Sequence, residues 1–160
     1  MKLLTENRLD ELLRNQKTFF QSHQTKSISF RKKNLEKLLN TVLLNENQIA
    51  DALKKDLNKS FQEAYLTEIS IVKAEIKFHL KHLRKWTRLK KVPTPLHLLP
   101  SRSHIQYEPL GVALVIAPWN YPFQLLFSPL VGVISSGCCA ILKPSPDTPH
   151  TALLMENIIR

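Results

Sequence analysis

The chain has 160 residues, 43% hydrophobic and 22% charged, the length of one ordinary domain with enough apolar material for a core. Nothing approaches the roughly 18 consecutive apolar residues of a membrane span. The stretch Met1 to Asp10 lacks the apolar run of a signal peptide, and the two cysteines are neighbours that cannot staple a fold, so a cytoplasmic setting without membrane contact is expected.

The formal net charge of +10 lies wholly in residues 1–91, with 20 Lys and Arg against 10 Asp and Glu; residues 92–160 hold 3 against 3. Alone, that excess would point to nucleic acid or an anionic surface. No nucleic-acid motif accompanies it, and amphipathic helices with solvated basic faces account for it, so no nucleic-acid partner is expected.

Leu3, Leu4, Leu9, Leu12, Leu13, Phe19 and Phe20 recur at helical spacing and predict a first helix with one apolar stripe. After the polar run Gln21 to Lys26, Ser27 or Ser29 caps a second helix that aligns Leu35, Leu38, Leu39, Val42 and Leu43. Asn45 and Gln48 have capping-box spacing and open a new or kinked helix through Ile49, Leu53 and Leu57. Ser60 and Glu63 repeat that spacing and start a third helix from Leu66 to Trp86, ending at Lys90-Lys91 before Pro93-Thr94-Pro95. Along it Lys77, Lys81, Arg84, Lys85 and Arg88 form a basic flank. Leu96 to Tyr107 alternates as a half-exposed strand able to pair with another segment or subunit.

Val112 to Ala117 is an unbroken apolar run rich in β-branched residues, the pattern of a parallel strand covered on both faces. Pro118 ends it. Phe123 to Ser136 reads as a buried crossover helix with Gly137 at its C-terminus, and Cys138 to Leu142 as a second buried strand. Thr148 as N-cap and Pro149 at the first helical position open a last helix through Leu153, Leu154, Ile158 and Ile159, still in pattern at Arg160. The expected fold class is α/β, with N-terminal helices (1–91) and an extended segment (92–108) leading into a βαβα unit (109–160).

Several familiar chemistries fail on inspection. With three glycines, Gly111, Gly132 and Gly137, the chain has neither G-x-G-x-x-G nor a P-loop, and G-V-I-S-S-G is not a serine-hydrolase elbow. His79 and His82 share a helix face without a visible third ligand, so no metal site is expected. Cys138 and Cys139 sit in an apolar strand and read as packing residues. Two polar tips remain, Asn120 and Lys143, both at carboxyl ends of strands, where open α/β sheets bind ligands. Asn120, with backbone N–H groups and a helix dipole behind it, suits an oxyanion site or simply a helix cap. Lys143 suits a ribose hydroxyl or phosphate, or simply a snorkelling strand end.

E-P-L-G-V-A-L-V-I-A-P-W-N-Y-P-F (108–123), then P-L-V-G and I-L-K-P-S-P, resembles the aldehyde dehydrogenase superfamily, in particular its class 3 or fatty-aldehyde branch. F-R-K-K-N-L-E-K-L-L, A-L-K-K-D-L-N-K and E-I-S-I-V-K-A-E-I resemble that branch too, extending the likeness from about Ser27 to Arg160. The resemblance implies a Rossmann-like cofactor domain using NAD or NADP, residues 1–160 being its N-terminal part. A cysteine thiolate attacks a small-molecule aldehyde, the asparagine of P-W-N and a backbone N–H hold the oxyanion, and hydride passes to the nicotinamide. Motif by motif it gives Asn120 the oxyanion role, Ile116, Ala117, Pro118 and Trp119 the cofactor floor, and Lys143 the adenosine ribose. Tyr121, Leu125 and Ser128 fall on the helix face that lines the aldehyde tunnel in relatives, which form homodimers at full length.

Two departures stand out, Cys138 where relatives carry Asn and Pro146 where they carry the ribose-binding Glu. In relatives the pyrophosphate glycine turn, general-base glutamate and nucleophilic cysteine lie beyond the position of Arg160. The expectation is therefore an incomplete N-terminal portion, inactive alone. Alternatives are a non-catalytic remnant that binds a partner subunit or nucleotide, or a basic helical nucleic-acid binder.

Overall fold

A computed structural model describes residues 6–159; Leu3, Leu4 and Arg160 lie outside it. Helix α1 (Glu6–Gln21) leads through a short 3-10 turn (Gln24–Lys26) into α2 (Ile28–Leu44) and α3 (Glu46–Leu57). Ser27 caps α2 by accepting from the Phe30 N–H at 3.4 Å. Asn45 precedes α3 without capping it, because its side chain donates back to the Thr41 carbonyl. Ser60 accepts from Glu63 N–H, as its spacing predicts, and opens α4 (Phe61–Ala64).

The expected third helix is continuous but not uniform. Between α4 and α5 (Ser70–Trp86), residues Tyr65–Ile69 form a π-helical turn. α5 stops at Trp86, and Lys90-Lys91 belong instead to β1 (Lys90–Val92). β1 pairs antiparallel with β2 (Ser103–Ile105). The rest of the segment expected to be one long strand is a 3-10 turn (Leu96–Leu98) and irregular chain, since Pro100 withholds a ladder donor within it.

Strands β3 (Val112–Ile116) and β4 (Cys139–Lys143) pair in parallel, Val112 with Cys139 through Ile116 with Lys143. Crossover helix α6 (Pro122–Ser136) joins them, and Gly137 ends it at φ 85°, a left-handed value suited to glycine. A Cβ there would lie 2.5 Å from the Arg31 guanidinium carbon. Arg31 is buried, and its guanidinium donates to the Thr25, Lys26 and Ser135 carbonyls, tying the 3-10 turn to the end of α6. Desolvation lowers its pKa.

α2, α5 and α6 pack on one another, α7 (Pro149–Ile159) packs on α3, and α1 lies against β3 and β4. Leu35, Val42, Ile49, Leu53, Ile76, Phe123 and Phe127 are fully buried, the two phenylalanines stacked 4.5 Å apart. Val115 and Ala117 join this core, but Leu114 and Ile116, on the opposite face of β3, are each 62% exposed. The expectation of a strand covered on both faces is thus corrected. Strand alternation buries one set; on the other face Val112 and its partner Cys139 are covered at least in part, and Leu114 and Ile116 stand open toward the carboxyl end.

Candidate functional site

The register of the parallel pair puts Ile116 beside Lys143 at the carboxyl edge, and Ala117 N–H extends the ladder to the Lys143 carbonyl at 3.1 Å. From this edge the chain turns through Pro118, Trp119 and Asn120, all exposed, into Tyr121 and α6. Pro118 ends the strand and Pro122 begins the helix, because a fixed φ and a missing N–H suit both positions.

Behind the turn lies a buried pair that sequence reasoning missed. Lys59 is 7% exposed and Glu68 0%. Lys59 Nζ donates to Glu68 Oε1 at 2.6 Å and to the Asn120 carbonyl at 3.0 Å, and stands 4.1 Å over the Tyr121 ring. Glu68 Oε2 accepts from Phe123 N–H at 2.9 Å and Gln124 N–H at 3.1 Å. A readable signal existed: Glu68 lies four residues from Ala64 and four from Val72, on the apolar face of its helix.

This network corrects one expectation about the turn. The first N–H groups of α6 are not free to bind an anion, since Pro122 has none, Phe123 and Gln124 give theirs to Glu68, and Leu125 donates to the Tyr121 carbonyl. Glu68 is therefore the cap of α6, and Asn120 is not. Among the described residues nothing bonds the Asn120 side-chain amide, which stands exposed at the strand tip.

Tyr121, at the N-cap of α6, and Leu125 and Ser128 within it stand four and three residues apart; Tyr121 is exposed, Leu125 half-buried, and the Ser128 hydroxyl enclosed without a hydrogen-bond partner. Lys143 is exposed, and beyond it Ser145 is buried with its hydroxyl bonded to the Asp147 carboxylate at 3.2 Å. The cysteines lie at the other end of β4, where four residues put roughly 13 Å between Cys139 and Lys143. Cys139 is buried, and desolvation, with Cys138 beside it, pushes its thiol pKa up, which suits packing rather than attack. The two helix histidines hold separate partners, His79 with Ser135 and Glu75, His82 with the Phe78 carbonyl.

The architecture is a mostly helical α/β arrangement in which a βαβ unit exposes its strand tips. Residues 1–160 match the aldehyde dehydrogenase family along their whole length, and the chain belongs to that family. Over 153 residues it is 47% identical to 4,4'-diaponeurosporen-aldehyde dehydrogenase of Staphylococcus aureus, covering 96% of this chain and 33% of that protein. It is 36% identical over 151 residues to aldehyde dehydrogenase family 3 comG of Dictyostelium discoideum, covering 94% of this chain and 32% of that one. The solved substrate-bound state of Staphylococcus aureus AldH superposes with a TM-score of 0.91 at 45% identity, over 99% of this chain and 33% of that one. The chain thus spans about a third of the length of these relatives, corresponding to their N-terminal third, and is similar to family 3 members, as its motifs imply. Members of the family are NAD(P)-dependent and oxidise aldehydes. Two solved relatives, from Streptococcus pyogenes and Methanocaldococcus jannaschii, are complexes with NADP; at 18% identity each shows the fold alone.

Proposed function

We propose that this chain contributes the oxyanion donor and part of the cofactor floor to an NAD(P)-dependent aldehyde dehydrogenase, as the N-terminal part of its cofactor-binding domain. The observation that carries this is at Asn120: a neutral donor, exposed at a strand tip, freed from helix capping by Glu68. A site for developing negative charge needs such a donor, fixed in place before reaction.

The strand tips suit a dinucleotide in their chemistry. Exposed Ile116 and Trp119 offer apolar surface beside Pro118, buried Ala117 supports them, and Lys143 supplies a cation next to Ile116 for a ribose or phosphate. When bound, a nicotinamide cofactor accepts the hydride that the oxidation releases. As the aldehyde carbon is attacked, its oxygen takes on negative charge and Asn120 Nδ2–H donates to it. Tyr121, Leu125 and Ser128 belong to the aldehyde's approach. Among the described residues no thiol lies at this end of the sheet, so the attacking group comes from elsewhere in the full-length enzyme. A cytoplasmic homodimer acting on a small-molecule aldehyde completes the proposal; among the described residues no helix is long and apolar enough to cross a membrane.

The test is Asn120→Ala in a full-length enzyme, made by joining residues 1–160 to the rest of the Staphylococcus aureus relative. Turnover should fall by about 100- to 1,000-fold, the usual cost of one oxyanion donor, with NAD(P) affinity little changed. A turnover within a few-fold of the parent would remove Asn120 from the chemistry.

A further inference from the structure

We propose that Lys59 and Glu68 are positioning residues for Asn120, one buried charged pair that sets where the turn presents its side-chain amide. This rests on the oxyanion role of Asn120 and extends it to residues that touch neither aldehyde nor cofactor.

Three separate pieces of chain meet at the pair. Lys59 comes from the loop between α3 and α4, Glu68 from the π-helical turn, and Asn120 to Gln124 from the turn into α6. Residues 120–124 are gripped at two points, the first at the peptide that directly follows the Asn120 side chain. Lys59 holds the Asn120 carbonyl, and Glu68 holds the Phe123 and Gln124 N–H groups. With Tyr121 under the Lys59 ammonium and Pro122 fixed in φ, little backbone freedom remains between the grips.

Stability alone does not account for burying the two charges. Desolvation offsets most of the Coulombic gain of a buried ion pair, and apolar residues of similar size serve a core at least as well. Nor does Lys59 act as a bare charge near the reacting oxygen, since Glu68 neutralises it at 2.6 Å. What the pair supplies is geometry: two hydrogen-bonding ends locked together, one on the Asn120 carbonyl and one on the first N–H groups of α6. The π-helical turn places Glu68 there, and such turns are frequent at functional sites.

The experiment is a double-mutant cycle in the same full-length enzyme. Lys59→Met should lower kcat by roughly 10- to 100-fold, the scale of an ångström-sized misplacement, while the Kd for NAD(P) holds within about twofold. In the Asn120→Ala background the same substitution should change kcat less than about twofold, because the group it positions is gone. Glu68→Gln keeps an acceptor for Phe123 and Gln124 N–H but weakens the hold on Lys59, and should show the same non-additivity with a smaller loss. It decides the matter if Lys59→Met does not fold. Losses that multiply with Asn120→Ala, or a Lys59→Met enzyme with parental kcat, would overturn the proposal while leaving Asn120 as donor. A silent Asn120→Ala would instead defeat the oxyanion role itself, and this inference with it.

Discussion

In the proposed cofactor site, Lys143 and Pro146 bear on which cofactor the strand tips accept. A 2'-phosphate carries negative charge that an exposed lysine attracts and a carboxylate repels, by about 1 kcal/mol at 4 Å in water and about 4 at an effective dielectric constant of 20. In residues 143–147 the one carboxylate is Asp147, which accepts from the Ser145 hydroxyl, and Pro146 offers none. The full-length enzyme should therefore use NADP with a specificity constant within about a hundredfold of that for NAD, near 3 kcal/mol. Pro146→Glu should move the ratio toward NAD, and steady-state kinetics with both cofactors measures it. Residues 120 and 143 stand out in the sequence because strand ends are where such sheets bind ligands. Lys59 does not, and Glu68 shows only as a carboxylate on an apolar helix face, since their meeting with Asn120 brings together residues up to 61 apart.

Among the elements, α7 separates local from tertiary capping. Its sequence offers Thr148 as N-cap, yet that hydroxyl is buried without a partner. Asp56, at the end of α3, accepts from His150 N–H at 3.2 Å and Thr151 N–H at 2.7 Å. A carboxylate there satisfies two helix donors and complements the dipole. Asp56→Ala should therefore cost about 1 kcal/mol, up to about 2, whereas Thr148→Ala should cost less, and urea midpoints of the two variants rank them. Ser27 and Ser60 cap as their spacing predicts because their bonds are local. Asp56 crosses 94 residues to do the same work, and no window of sequence contains both ends.

For the whole molecule, the open face of β3 is the main unmet demand. Leu114 and Ile116 are each 62% exposed and Trp119 57%. The 160-residue chain should therefore self-associate, through this face and the edges of its two-stranded sheets. Leu114→Thr with Ile116→Thr places a β-branched strand former at both positions and raises their polarity, and should shift size-exclusion elution toward monomer. An unchanged profile would place the contact elsewhere. The N-terminal helices, the parallel pair and its crossover are all legible from periodicity and punctuation. What covers the second face of β3 is not, since an unbroken apolar run records the demand for cover without saying what supplies it.

The π-helical turn makes the spacing of Tyr65–Ile69 a matter of counting. Its wide coil lets Ala64 and Ile69, five residues apart, both be fully buried with Glu68 between them. Deleting exposed Leu66 would leave a better regular helix by local propensity. With one residue fewer, Ala64 and Ile69 would stand four apart, and a regular α-helix still carries both on one face. The π-helical turn thus absorbs one residue more than a regular helix needs without turning the Ser60 cap away from the core face of α5.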